Sequence, residues 1–252
     1  MAVHQVICRW DFNLRPKLMD RPGELCEALG MATTWELIRE ESAKRQFSLS
    51  AKPNDGFSKN FTFSPELAVF GATWVDGVEL PALSEDPTLR DLFACLDTLK
   101  EFGDVKELRR CGLRFIALDA VRERDAAVDG DNGLVLLDQF LGRSCASVSE
   151  GLRKIAGDIV DASVKIVGKH KDEMHYTISY GPFGDFEAPK FFSDVADNWP
   201  EASGYDLLCD ADFWEANFAM TTSARKWALP VMNRFREVAT SVSNGIRENG
   251  NG

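Results

Sequence analysis

The stretch Leu108-Arg109-Arg110-Cys111-Gly112-Leu113-Arg114-Phe115-Ile116-Ala117-Leu118 constrains the fold most. Leu113 and Phe115 fall on one alternating face, Ile116 and Leu118 on the other. Apolar residues on both faces predict a strand in the middle of a sheet, covered on both sides. Arg114 sits inside that strand, and a guanidinium cannot be buried there without a partner. Asp119 lies too close along the same strand, so a carboxylate from another strand, Asp210 or Asp212, is expected to meet it. Such a contact would tie the two halves of the chain together.

The alternation Val6, Cys8, Trp10, Phe12 predicts a first strand over Val3 to Phe12. Asp20 to Gly30 reads as a short helix, with Pro22 near its start and Gly30 as its stop. Thr33 and Glu36 form a capping-box pattern, which predicts a second helix through about Arg45. Phe47 to Ala51, Phe57 to Phe63 and Leu67 to Val75 read as strands, with Asn54-Asp55-Gly56 as a hairpin turn. Asp86 and Pro87 open a helix whose stripe is Leu89, Leu92, Phe93, Leu96 and Leu99.

The polar segment 122–133 reads as a linker between an N-terminal half, 1–121, and a C-terminal half, 134–252. In the second half Leu134 to Leu141 and Ser147 to Ile155 read as helices, and Ile159 to Val167 and Met174 to Tyr180 as paired strands. Gly181 to Gly204 reads as a long loop and Tyr205 to Phe218 as the last strand or strand pair. A long terminal helix carries Ala224, Trp227, Ala228, Val231, Phe235, Val238, Val242 and Ile246 on one stripe, with Pro230 inside it. The fold class is therefore α+β: two packed halves, each a small, mainly antiparallel sheet with helices, ending in a long C-terminal helix.

Hydrophobic residues make up 44% of the 252-residue chain, the profile of a packed globular protein. Arg9, Asp11 and Arg15 leave no room for a signal peptide, and no apolar run approaches the roughly 20 residues that span a bilayer. A cytoplasmic location with no membrane association is expected. The formal net charge of -11 repels phosphate backbones, which argues against a nucleic-acid partner. Six unclustered cysteines, at 8, 26, 95, 111, 145 and 209, read as buried thiols rather than disulfides or a zinc site.

Motifs that specify a reaction are missing: there is no phosphate loop, no G-x-S-x-G elbow and no H-E-x-x-H. His170 and His175 are spaced wrongly for one metal and read as surface residues of a hairpin. Asp129-Gly130-Asp131-Asn132-Gly133 begins like a calcium loop, but Phe140 stands where the bidentate Glu belongs. Asp210 and Asp212, two apart on a strand, point to the same side. With Arg114 they form the candidate binding set, as a salt bridge first and a ligand or metal site second. Phe183, Phe186, Phe191, Phe192 and Trp199 concentrate aromatics in the expected loop, which either packs on its own domain, the favoured reading, or serves as the candidate interaction loop for a partner. No cofactor and no resident metal is indicated.

Arg110, Gly112, Leu113, Arg114, Phe115 and Ile116, together with Asp210, Asp212 and the helix from Ala224, resemble a sporadically distributed bacterial family of uncharacterised proteins. That family has a central Arg-x-Gly-Leu-Arg-Tyr/Phe-Ile strand and a late Asp-x-Asp strand before a terminal helix. The opening strand is similar in position and pattern. Ala117 departs from it, standing where the family has Asn, which weakens a polar role there. The family's patchy occurrence implies an anti-phage or mobile-element setting, and it supplies no activity to transfer. The functional expectation is a non-catalytic accessory subunit that binds a protein partner. A ligand- or metal-binding enzyme built on the carboxylate pair and the arginine is the alternative. A homo-oligomer is compatible with either.

Overall fold

A computed structural model describes residues 1–33, 36–41, 46–54, 56–120, 137, 140–141, 151, 154–155, 161–184, 187–199, 205–220 and 223–247. The strands are β1 (Ala2–Phe12), β2 (Glu36–Glu41), β3 (Gln46–Asn54), β4 (Phe57–Phe63), β5 (Leu67–Glu79), β6 (Glu107–Ala120), β7 (Val164–Lys169), β8 (His175–Gly184) and β9 (Tyr205–Ala219). They form one antiparallel sheet in the order β2-β3-β4-β5-β1-β6-β9-β8-β7. The expected pair of small sheets is thus corrected to a single large one. The reason is the seam: β6 pairs with β9 from Glu107↔Ala219 to Ala120↔Asp206. Its backbone groups find partners on both flanks and leave no edge there to separate two sheets.

Among the described residues the complete α-helices are α1 (Lys17–Asp20), α2 (Pro22–Ala32), α3 (Pro87–Gly103), α4 (Ala188–Phe191) and α5 (Ala224–Arg247). The Asp86 side chain accepts from Thr88 N at 2.8 Å, and Leu89, Leu92, Leu96 and Leu99 of α3 are buried. Thr33 does not open a helix. Its backbone N–H and hydroxyl both donate to Leu29 O, so it terminates α2, and Glu36–Glu41 pairs with β3 instead. The expected loop from Gly181 also changes character, because β8 continues to Gly184 and α4 and a 3-10 turn (Ser193–Asn198) follow. The linker 122–133, Asp55 and the capping box at Ser147 lie outside the described residues.

Alternation along the strands divides the sheet into two unlike faces. One carries Val6, Cys8, Trp10, Phe61, Phe70, Cys111, Leu113, Phe115, Ala211 and Phe213, all buried in the main core with residues of α2, α3 and α5. Phe115 stacks on Phe235 of α5 with ring centroids 4.5 Å apart. Lys59 of β4 reaches Asp91 of α3 inside this layer. On the other face Ile116 and Leu118 lie under Phe183, Phe192 and Val195, a smaller core at one end of the sheet. Among the described residues, none of the core clusters covers that face beyond this end.

Candidate open sheet face

The open sector is built by strict alternation in three neighbouring strands. Half-buried Arg110 and Arg114 of β6 alternate with buried Cys111, Leu113 and Phe115, and Gly112, on their face, is buried beside the Arg110 and Trp214 side chains. Asp210, Asp212 and Trp214 do the same in β9, and His175, Thr177 and Ser179 of β8 alternate with Tyr176 and Ile178, which are half-buried against the main core. Register aligns them in rows. One row runs Ile7, Arg114, Asp212, Thr177, Val167, and the next runs Arg9, Gly112, Trp214, His175, Lys169. The strand around Leu113 is therefore central, as expected, but it is covered on both sides only from Ile116 onward.

Both sequence-selected carboxylates meet an arginine. Arg114 donates through Nε to Asp210 Oδ1 and through Nη2 to Asp210 Oδ2, each at 2.7 Å, a bidentate pair across the β6–β9 seam. Arg110 Nη2 donates to Asp212 Oδ2 at 2.7 Å. The hydrogen bond to Asp210 raises the Arg114 pKa. Burial raises that of Asp212 although Arg110 and Arg114 pull it down. The Arg114 side chain is 39% exposed, so the guanidinium is paired but not buried.

Arg110, Trp214 and His175 are the site residues that sequence reading missed. His175 stacks flat on Trp214, centroids 4.0 Å apart and planes within 9°. Arg110 Cζ lies 5.0 Å from the same indole ring, a cation–π contact. Gly112 makes this possible, because a Cβ there would stand 3.3 Å from both Arg110 Nε and Trp214 Cβ. The signal was available in the polar–apolar alternation of 110–115 and 209–214, which marks a half-open face.

The two histidines do not converge. His170 pairs through Nδ1 with Asp172 Oδ1 at 2.7 Å in the β7–β8 turn, whereas His175 belongs to the indole stack. Among the described residues no group of three or more His, Cys, Asp or Glu side chains is placed to hold a metal ion. The segment 129–133 lies outside the described residues. Cys8, Cys95, Cys111 and Cys209 are buried thiols whose pKa burial pushes up, to about 12 for Cys209, so none is a ready nucleophile.

The expected interaction loop is largely interior. Phe183 and Phe192 are 1% and 0% exposed, and Phe192 stacks on Trp199 at 4.6 Å. Phe191 meets Phe183 edge-on, and His4 lies against both Phe192 and Trp199. Asn60 Nδ2 donates to Asp194 Oδ2 at 3.1 Å and fastens the segment to β4. These rings fold onto Ile116 and Leu118, Phe183 and Phe192 fully and Phe191 and Trp199 in part, which is the packing on the domain that the sequence favoured over an interaction surface. Phe186 lies outside the described residues.

No protein-family model matches the chain, and no curated protein matches it.

Proposed function

We propose that the chain is a non-catalytic accessory subunit that docks a protein partner on the open face of its sheet. The observation that carries this reading is the half-exposed set Arg110, Trp214, His175 and Arg114, held rigid by stacking and ion pairs in the middle of that face. Tryptophan and arginine dominate the binding energy of protein interfaces, and side chains already fixed lose little entropy on docking. The net charge of -11 opposes a nucleic-acid partner. The resemblance carried by Arg110 to Ile116 and by Asp210 and Asp212 gives the proposal its setting, an anti-phage or mobile-element system in a bacterial cytoplasm.

The catalytic or metal-binding alternative is weaker on chemical grounds. Both Asp210 oxygens bond one guanidinium, and Asp212 is held by another. The guanidinium charges beside Asp210 and Asp212 offset their attraction for a cation, and among the described residues no group of three or more His, Cys, Asp or Glu side chains gathers to hold one. No described helix is long and apolar enough to cross a membrane.

Co-expression with the products of adjacent genes tests the proposal. A partner retained by the wild type should be lost from Trp214→Ala and Arg114→Glu and kept by Lys226→Glu, on the opposite side of the sheet. Retention of no partner, or equal loss from all three variants, would count against it.

A further inference from the structure

The strand β7 ends the sheet, and no described strand pairs with its outer side. Its residues are Val164-Lys165-Ile166-Val167-Gly168-Lys169, with Ile166 45% exposed and Val167 69% exposed. Tyr176 of β8 covers Gly168 so closely that its ring occupies the space a Cβ there would need. A cross-strand aromatic over a glycine pins an edge strand in its register. The edge is thus a settled strand whose outer ladder is unpaired among the described residues.

Lys165, Val167 and Lys169 share the open face, paired with Ser179, Thr177 and His175. They continue the rows that hold Asp210, Asp212 and Trp214. Lysines flanking a valine make a local positive strip on a chain of net charge -11. The Lys169 ammonium pairs with Glu173 in the turn, and both are exposed, so that contact is readily exchanged.

We infer that β7 accepts an extended segment of a partner protein as a tenth strand, with acidic residues four apart flanking an apolar one. Directly opposed residues of paired strands share a face. A segment of that pattern sets its carboxylates against Lys165 and Lys169 and its apolar side chain against Val167. Main-chain hydrogen bonds supply affinity and the alternate side chains supply selectivity. A second copy of this chain is disfavoured, because antiparallel pairing through β7 gathers Lys165 and Lys169 of both copies on one face. Edge lysines that oppose self-pairing are a known safeguard against aggregation. Here the same charges select an acidic guest. The inference rests on the docking function proposed above and names the partner's chemistry.

Two end-blocked, fluorescein-labelled peptides test it, Thr-Glu-Thr-Val-Thr-Glu-Thr and its counterpart with both glutamates replaced by lysine. Anisotropy is read against the full chain, wild type and Lys165→Glu/Lys169→Glu, whose exposed substitutions should leave the circular-dichroism melt unchanged. The wild type should prefer the glutamate peptide by about tenfold, roughly 1.4 kcal/mol, and the double variant should invert the preference. Binding of neither peptide, equal binding of both, or a preference that survives the lysine replacements would overturn the inference. Lys226→Glu, on the opposite side of the sheet, should keep the peptide preference. A partner lost from Trp214→Ala but retained by the double variant would overturn strand addition alone. A partner indifferent to Trp214, with the peptide preference intact, would overturn docking at the sheet centre alone.

Discussion

Arg114 and Lys59 separate two kinds of ion pair in one sheet. A guanidinium inside an apolar run leads to the expectation of a fully buried charge, and deleting it from such a site would cost about 3–5 kcal/mol. Water reaches Arg114, so its bidentate pair with Asp210 is screened, and Arg114→Ala should lower stability by only about 1 kcal/mol. Lys59, 7% exposed, holds Asp91 between sheet and α3. Lys59 is the nearly buried partner where Arg114 is not, and removing it takes the ammonium from a carboxylate only 17% exposed, so Lys59→Ala should cost about 3 kcal/mol. Thermal melts of the two variants side by side read the difference. The Arg114–carboxylate contact was legible in the sequence, from the need of a charge for a partner. Its exposure was not taken from the sequence, because Ile116 and Leu118 belong to the small aromatic-covered core while Arg110, Gly112 and Arg114 do not.

His4 gives the residue scale a pH dependence. Burial against Phe192 and Trp199 lowers its pKa from the ordinary 6.5, while hydrogen bonds to the Trp74 and Val75 backbone and the charge of Asp76 oppose the shift. The folded state therefore binds a proton less readily than the unfolded chain. Stability from neutral His4 is full above pH 6.5 and is lost as pH falls through the lowered folded pKa. The melting temperature should drop between pH 7 and 5, and His4→Gln should flatten that slope. Equal slopes in the two proteins would refute the assignment.

At the scale of elements, legibility followed the strength of the local signal. Helix α3 was readable because Asp86, Pro87 and a leucine stripe agree. Strands β1, β4 and β5 were readable from alternation. Thr33 misled because a threonine three residues before a glutamate looks the same whether it starts a helix or, as here, bonds back to Leu29 O at the end of one. Phe191, Phe192 and Trp199 were read as loop because Gly, Pro and Asp surround them, and only Ile116 and Leu118, far away in sequence, explain their burial. The core contact between elements is testable at Phe115, which is 0% exposed and stacks on Phe235. Phe115→Ala should cost about 3–5 kcal/mol in denaturant melts. Pro230, exposed within α5, lacks the N–H that would bond the preceding turn. Pro230→Ala should raise stability by about 1 kcal/mol, part of the helix gain being offset by a freer unfolded chain.

At the scale of the whole molecule, the two halves read from the sequence exist as two stretches of one sheet. Strands β1 to β6 lie on one side of the β6–β9 seam and β7 to β9 on the other. Beyond the Arg114–carboxylate contact the seam was illegible, because register between strands a hundred residues apart leaves no local trace, whereas a polar linker leaves a clear one. One sheet and one main core imply a single cooperative transition, with tryptophan fluorescence and far-ultraviolet circular dichroism melting together. Two resolved transitions would mean two independent halves.

Hydroxyl-radical footprinting of the chain, alone and bound to its co-expressed partner, tests docking on the open sheet face most directly. Oxidation of Trp214 and His175 should fall several-fold in the complex, while that of Leu229, exposed on α5, stays unchanged. Protection centred on α5, with Trp214 and His175 oxidised as in the free chain, would contradict it.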